Sequence, residues 1–418
     1  MLYLILLLCY DTLPPLPDLS ELNLPEPALW IEPGPRALRI HGFGGQFYGA
    51  DLKLDVRSFI VQGGFIRSNE WDNTDTGNVQ ICYSTALGHL WLKPNFRTRV
   101  LRRQDDYTQI NPGMEFVVFT PPFIASGNIE YSRWLINEQR SVESAGEIDF
   151  TFDRTNHKPA IGMKGISTGG KIRPTLFARF NIDRFHIEFG SLAQTDPLSP
   201  FANFTYKTLW LEIGAAVWTG MKYNTLSSYF DMDIPVRYMS DIPAETLNMA
   251  LSLSSQVLLH EQEIFFCGAY KKWHHRLDIG AAYTISSIQD VEEINLDVGA
   301  RTRIRLDKVG LLNILHMQYN RADSTISFQP VIAVSDTLEL NLGPILLAAD
   351  IHYLSQRDGI EKRLPRSYVI NTTAGVRISC TKIYVAIHNV TEQNSEIYDG
   401  YYYTGRQYAG GVEIVQRF

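Results

Sequence analysis

Long apolar runs are missing from this chain of 418 residues. No stretch approaches the roughly eighteen apolar residues that a membrane helix needs, so no helix is expected to cross a bilayer. Cysteine is scarce. The 4 cysteines (Cys9, Cys82, Cys267, Cys380) lie far apart with no CxxC, which excludes a zinc ribbon and a disulfide framework but leaves a single disulfide open. A charge excess is missing as well: charged residues are 20% and the formal net charge is −7, with no basic run of the length nucleic acid would need. Catalytic signatures are absent too. There is no G-x-S-x-G, and His260-Glu261 is followed by Ile264 where HExxH needs its second histidine. The polar run Trp71–Gly77 misses the alternating ligand positions of a calcium loop. The expectation is therefore no enzyme, no cofactor, no bound metal and no nucleic acid.

What the chain does have is strict alternation. In Ile294–Leu306 one face reads Ile294, Leu296, Val298, Ala300, Thr302, Ile304 and Leu306, while Asn295, Asp297, Gly299, Arg301, Arg303 and Arg305 form the other. Tyr368–Cys380 and Ile172–Ile182 carry the same two-faced pattern. Side chains on a strand alternate faces with period two, so each run is a strand with one apolar and one polar face. These runs exceed the usual soluble strand of roughly five or six residues. They match a tilted transmembrane strand, which needs about nine to eleven residues. The 21 Tyr, 21 Phe and 7 Trp supply the aromatic girdles such a wall places at the two membrane interfaces. The expected fold is all-β: a transmembrane antiparallel β-barrel in a bacterial (Gram-negative) outer membrane, with both termini periplasmic.

The chain divides into three parts. Residues 1–10 hold an apolar run, Leu2–Cys9, of export-signal length but without a basic start or an A-x-A site, and read as a truncated export signal. Residues 11–36 carry Pro14, Pro15, Pro17, Pro25, Pro27, Pro33 and Pro35, a density that forbids a sheet ladder and gives an extended arm. Residues 37–418 are the barrel, ending on Phe418. Roughly 22 to 26 residues per strand and connection give about 16 strands, within a range of about 14 to 18. One long strand is expected over 337–353, and another over 325–334.

The closing stretch resembles a known family. Val385–Tyr398 followed by Tyr403–Phe418 is similar to the last hairpin of TonB-dependent receptors, with Asn389, Val390, Glu392, Tyr398, Gly405, Arg406 and Phe418 at the matching positions. The resemblance implies an outer-membrane receptor barrel. Only 35 residues precede the first expected strand, too few for that family's plug domain, so a plugless form is expected. A last strand ending in an aromatic residue also resembles the signal read by the barrel-assembly machinery. Tyr408, Val412, Ile414 and Phe418 would carry it, with Gln416 a poor fit.

Two sets of residues are candidates for function. Arg57, Arg97, Arg99, Arg173, Arg179, Arg301, Arg303, Arg305 and Arg377 all fall on the polar side of their strands. A wall of guanidinium groups in a low-dielectric passage concentrates anions. The bland alternative is that acids such as Asp55, Asp297, Glu188 and Glu212 pair with them and fill a closed lumen. Tyr398, Tyr401, Tyr402 and Tyr403 sit in what would be an extracellular loop, where tyrosine presents contact area at low entropic cost. An interfacial girdle is their bland reading. The functional expectation is a porin-like passage or ligand-binding channel for small, anionic solutes. The alternative is a non-conducting scaffold barrel whose loops bind a protein partner.

Overall fold

The computed structural model describes the chain from Arg36 to Arg417 except for 46–47, 57–58, 69–73, 88, 103–105, 121–122, 137–138, 153–159, 169–170, 193–198, 223–244, 260, 281–284, 307, 394–395, 399–400 and 403–404. The export signal and proline-rich arm expected over 1–35 lie outside the described residues, as do the strand expected near 222–231 beyond Lys222 and the terminal Phe418. No helix of the described chain is long and apolar enough to cross a membrane.

Strands dominate, and each pairs antiparallel with its neighbour in chain order within one 23-stranded sheet. The first strand, Arg36–Gly45, pairs with Tyr48–Val56 on one side and with the last, Gln407–Arg417, on the other. The register from Ala37↔Arg417 to Gly45↔Ala409 joins the two ends of the sheet, so the ladder returns on itself. Thr85–Leu87 continues Thr74–Tyr83 along the same partner, Leu90–Arg102, so the 23 strands occupy twenty-two positions around the wall. This exceeds the expected sixteen. The reason lies in the turns: Asp183-Arg184, Gly343-Pro344 and Ser379-Cys380 are two-residue connections, far tighter than the average the estimate assumed. The strand expected over 337–353 is in fact two, Ile332–Leu342 and Ile345–Leu354, folded back at Gly343, whose φ of 61° favours glycine. Much of the stretch expected as a strand over 325–334 is not one, and the strand begins only at Ile332.

Burial runs opposite to that of a soluble sandwich. On Ile285–Leu306 the apolar face is the exposed one, with Ile294 at 41% and Leu306 at 67%, while Glu293 is fully buried and Asn295 is at 9%. The same inversion holds on Ser367–Ile378, where Tyr368, Val376 and Ile378 are exposed and Val369 and Thr373 buried, and on Gln407–Arg417. Apolar out and polar in is the pattern of a barrel solvated by lipid. On the longest strands the outer face turns charged beyond Ile294. There Lys272 pairs with Glu292 at 2.7 Å and His274 with Asp290 at 3.0 Å, marking where the apolar band ends.

Closure is reinforced from inside. His41 lies between the Asp51 carboxylate (2.7 Å at Nδ1) and the Tyr384 hydroxyl (2.6 Å at Nε2). Arg39 reaches Glu413 at 2.8 Å, and Lys382 lies 3.8 Å from the same carboxylate and 4.9 Å over the Tyr384 ring. These contacts tie the first, second, penultimate and last barrel strands together at the seam. The inner wall also folds large rings over glycines. Phe265 covers Gly299 on the neighbouring strand so closely that a Cβ there would overlap the ring, and Tyr384 covers Gly411 in the same way. Gly299→Ala must push Phe265 out of its rotamer, which costs about 1–3 kcal/mol. Chemical unfolding of the refolded barrel in detergent should show a correspondingly lower midpoint, and an unchanged midpoint would contradict the packing.

Candidate functional site in the lumen

A wall of this many strands encloses a lumen wider than side chains alone fill. Its lining is polar: Gln109, Asn111, Gln256, Lys271, Arg276, Glu293, Gln318, Glu339, Asp350 and Lys382 are among the buried inward side chains. Within this lining the expected arginines separate into distinct groups.

Arg179 is paired. Its Nε and a terminal nitrogen both lie 2.8 Å from Glu188 on the adjacent strand, and its guanidinium sits 5.2 Å from the centre of the Phe177 ring. Here the bland reading of the sequence holds. Arg301, Arg303 and Arg305 do otherwise. They line the inner face of Ile285–Leu306 toward the rim that carries the chain termini, and no side chain of theirs makes an ion pair or hydrogen bond with a described residue. Arg305 is exposed and the other two partly so. Glu263 stands opposite Arg301 in register, but its carboxylate accepts from Gln256 at 2.5 Å. Arg97 and Arg99 face inward on Leu90–Arg102, in register with Gln80 and Asn78, and Arg97 is exposed to the lumen. Arg377 stands opposite Lys382 at the seam, near Glu413. Arg173 lies on Lys171–Ile182 opposite Ile166, its side chain not described, and Arg57 lies outside the described residues.

At the end of the barrel away from the termini, the segment 323–331 folds against the inner wall. Ile326 joins a cluster with Trp218, Leu247, Ala250, Trp273 and Val291, while Phe328 and Pro330 are fully buried. Ser327 donates from its backbone and its hydroxyl to Asp278, both at 3.0 Å. Gln329 donates to Glu293 at 2.9 Å. Glu293 also takes Trp273 Nε1 at 3.2 Å, Asn295 Nδ2 at 3.1 Å and the Arg276 guanidinium at 3.3 Å. Alternation places Asn295 and Glu293 on the polar face, but nothing in the sequence shows that a later loop returns to meet them.

The closing hairpin explains its own motif. Asn389 (φ 50°) accepts from the Gln393 N–H at 3.2 Å and from the Thr391 hydroxyl at 3.1 Å, while its amide donates back to the Gln393 carbonyl at 3.0 Å. Arg406 donates to the Val390 carbonyl at 2.9 Å and lies 3.3 Å from Glu392. Asn389, Val390, Glu392 and Arg406 thus form one clasp at the loop end. Tyr398, Tyr401 and Tyr402 lie on a short hairpin above it, Glu396–Tyr398 against Tyr401–Tyr402, and Tyr403 lies outside the described residues.

No protein-family model matches the chain, and no curated protein does. Solved structures do. The chain is similar to the FrpB iron transporter from Neisseria meningitidis (F5-1 variant, apoprotein form), with 10% identity, coverage of 91% of this chain and 81% of that one, and a TM-score of 0.66. The copper transporter OprC is similar at 11% identity, covering 93% and 81%, with a TM-score of 0.63. The ferric enterobactin receptor PfeA from Pseudomonas aeruginosa is similar at 9% identity, covering 92% and 82%, with a TM-score of 0.63. The fold is that of a TonB-dependent receptor barrel. In this receptor-type barrel the family-like motif is the Asn389–Arg406 clasp, and the arginine row lies at the opposite end of the lumen.

The Glu293 node ties the 323–331 segment to the wall through Gln329. Glu293→Leu leaves the Arg276 guanidinium, itself 3% exposed, buried without its partner, a change that typically costs about 3–5 kcal/mol. Thermal melting of the refolded barrel and proteolysis of the loop-side segment should both report the loss, and an unaltered melt would show that Arg276 is satisfied elsewhere.

Proposed function

We propose that this protein is an outer-membrane barrel that admits or binds small anionic solutes in a basic lumen. The carrying observation is the row Arg301, Arg303 and Arg305: cations spaced two apart, facing the lumen, that form no ion pair with a described residue, Glu263 opposite Arg301 being engaged by Gln256. Like charges so close repel, so the arrangement is stabilised when an anion lies between them. Arg97 extends the basic lining higher on the wall. The solved structures of similar fold are of transporters and receptors for iron, copper and ferric enterobactin, which supports a transport or ligand-binding role for a barrel of this shape.

Orientation follows the asymmetry of the rims. Asp183-Arg184, Gly343-Pro344 and Ser379-Cys380 close the end that holds both termini, whereas 323–331 and 355–366 close the other. Tight turns belong to the periplasmic rim and longer loops to the outside, which supports a reading with both termini in the periplasm and the Tyr398–Tyr403 segment outside the cell. Tyr408, Val412 and Ile414 line the outward face of the last strand, as an assembly signal read by the barrel-assembly machinery requires. The surrounding partner is the lipid bilayer.

The inward fold of 323–331 supports a second reading, in which the loop end is sealed and the exposed loops bind a partner. Conductance separates the two. The full chain refolded into a planar bilayer under a salt gradient is expected to give steady anion-selective steps. Replacing Arg301, Arg303 and Arg305 by Ala should lower the anion-to-cation permeability ratio about threefold or more. Unchanged selectivity would remove the arginine row from the mechanism, and silence from a folded barrel would favour the sealed form.

A further inference from the structure

One polar group stands on the wrong face of the wall. On Ile332–Leu342 the outward residues are Ile332, Val334, Asp336, Leu338, Leu340 and Leu342, so a carboxylate sits midway along an otherwise apolar row. Register confirms the face, because Asp336 stands opposite Leu315 (41% exposed) on one side and Ile351 (41%) on the other. Asn313 lies diagonally across on Val309–Ala322, again outward, and its Nδ2 donates to Asp336 Oδ1 at 2.6 Å and to the Thr337 carbonyl at 3.4 Å. Thr302 stands opposite Asn313 on the next strand. Neither the second Asp336 oxygen nor the Thr302 hydroxyl takes a further partner among the described residues. Leu315, Met317, Leu338, Ile304 and Ile351, all exposed, frame the patch.

Hydrocarbon offers an acid no donor, and ionisable groups at membrane depth are costly unless something answers them. We infer that this patch is covered by a second copy of the same chain, packed side by side in the bilayer about a two-fold axis along the membrane normal. Two copies in one membrane share an orientation, so such an axis brings every residue to the depth of its counterpart. The patch is self-complementary, as an isologous interface requires: it holds an acceptor in the second Asp336 oxygen and a donor in the Thr302 hydroxyl, while the Asn313 amide, spent on Asp336 and Thr337, fixes the carboxylate. The apolar frame then packs against its own image. The inference depends on the barrel lying in a bilayer and is independent of what its lumen carries.

The test is photocrosslinking of the full chain in the outer membrane, with benzoylphenylalanine at Leu315 or Ile351. An adduct of twice the chain's mass is expected from both positions and none from Ile129, which is 46% exposed but lies on Phe123–Ile136, on the opposite side of the wall. Asp336→Leu should lower the adduct at least fivefold while the heat-modifiable migration of a folded barrel persists, and Asp336→Asn should retain most of it. If Asp336→Leu does not fold, Asn313→Leu provides the same readout. No adduct of that mass, an adduct to a different protein, or full crosslinking in the leucine variants would overturn the dimer.

Discussion

Everything in this molecule depends on the pairing of Arg36–Gly45 with Gln407–Arg417. Lipid supplies no hydrogen bonds, so a backbone N–H or C=O at a free sheet edge would go unanswered at a cost of several kcal/mol. Closure removes that edge, and the seam is tied by side chains as well as by backbone. The residues that tie it are His41, Asp51, Tyr384, Arg39, Glu413 and Lys382, and all of them point inward. On the outer side of the seam Ile40, Gly410, Val412 and Ile414 face the membrane. Here the charged groups are kept inside, where protein can answer them.

Closure also sets the electrostatics of the interior. A wall of two-residue turns and alternating faces delivers a polar residue to the lumen at every second position. Most of these find neighbours on adjacent strands, as Arg179 does with Glu188 and Glu293 does with Arg276. The row at Arg301, Arg303 and Arg305 does not: the residues opposite it in register are Ile314, Leu312 and Gly310 on one side, and on the other Glu263, opposite Arg301, is engaged by Gln256. The lumen is therefore uneven: packed and neutralised by a folded-in segment at the loop end, basic and open to solvent at the terminus end.

Much of the fold was legible in the residues. The alternation in Ile294–Leu306 and Tyr368–Cys380 identified long two-faced strands, and the structure places those strands in one closed antiparallel sheet with the apolar face outward. The strand number was not legible. An average spacing hides two-residue turns, and Gly343-Pro344 lies inside a run whose hydrophobicity does not change across it. The site was partly legible. Period two shows which arginines face inward, but pairing depends on register, and register separates the neutralised Arg179 from the row at Arg301. The Glu293 node and the outward Asp336 were missed. Glu293 gains one partner, Gln329, from a loop more than thirty residues on, and Asp336 follows parity so regularly that only its neighbours reveal it as polar among lipids.

The sequence by itself determined that this chain is a membrane wall of strands, since period-two alternation over that length has few other solutions. It also determined which side chains share a face, because parity along a strand is a local property. Which face meets lipid, how many strands close the ring, which charges cancel and which loop enters the lumen were decided by tertiary structure alone. The physical reason is that each of these depends on contacts between residues distant in the chain, and the alternation of a strand is the same whichever neighbour it finds.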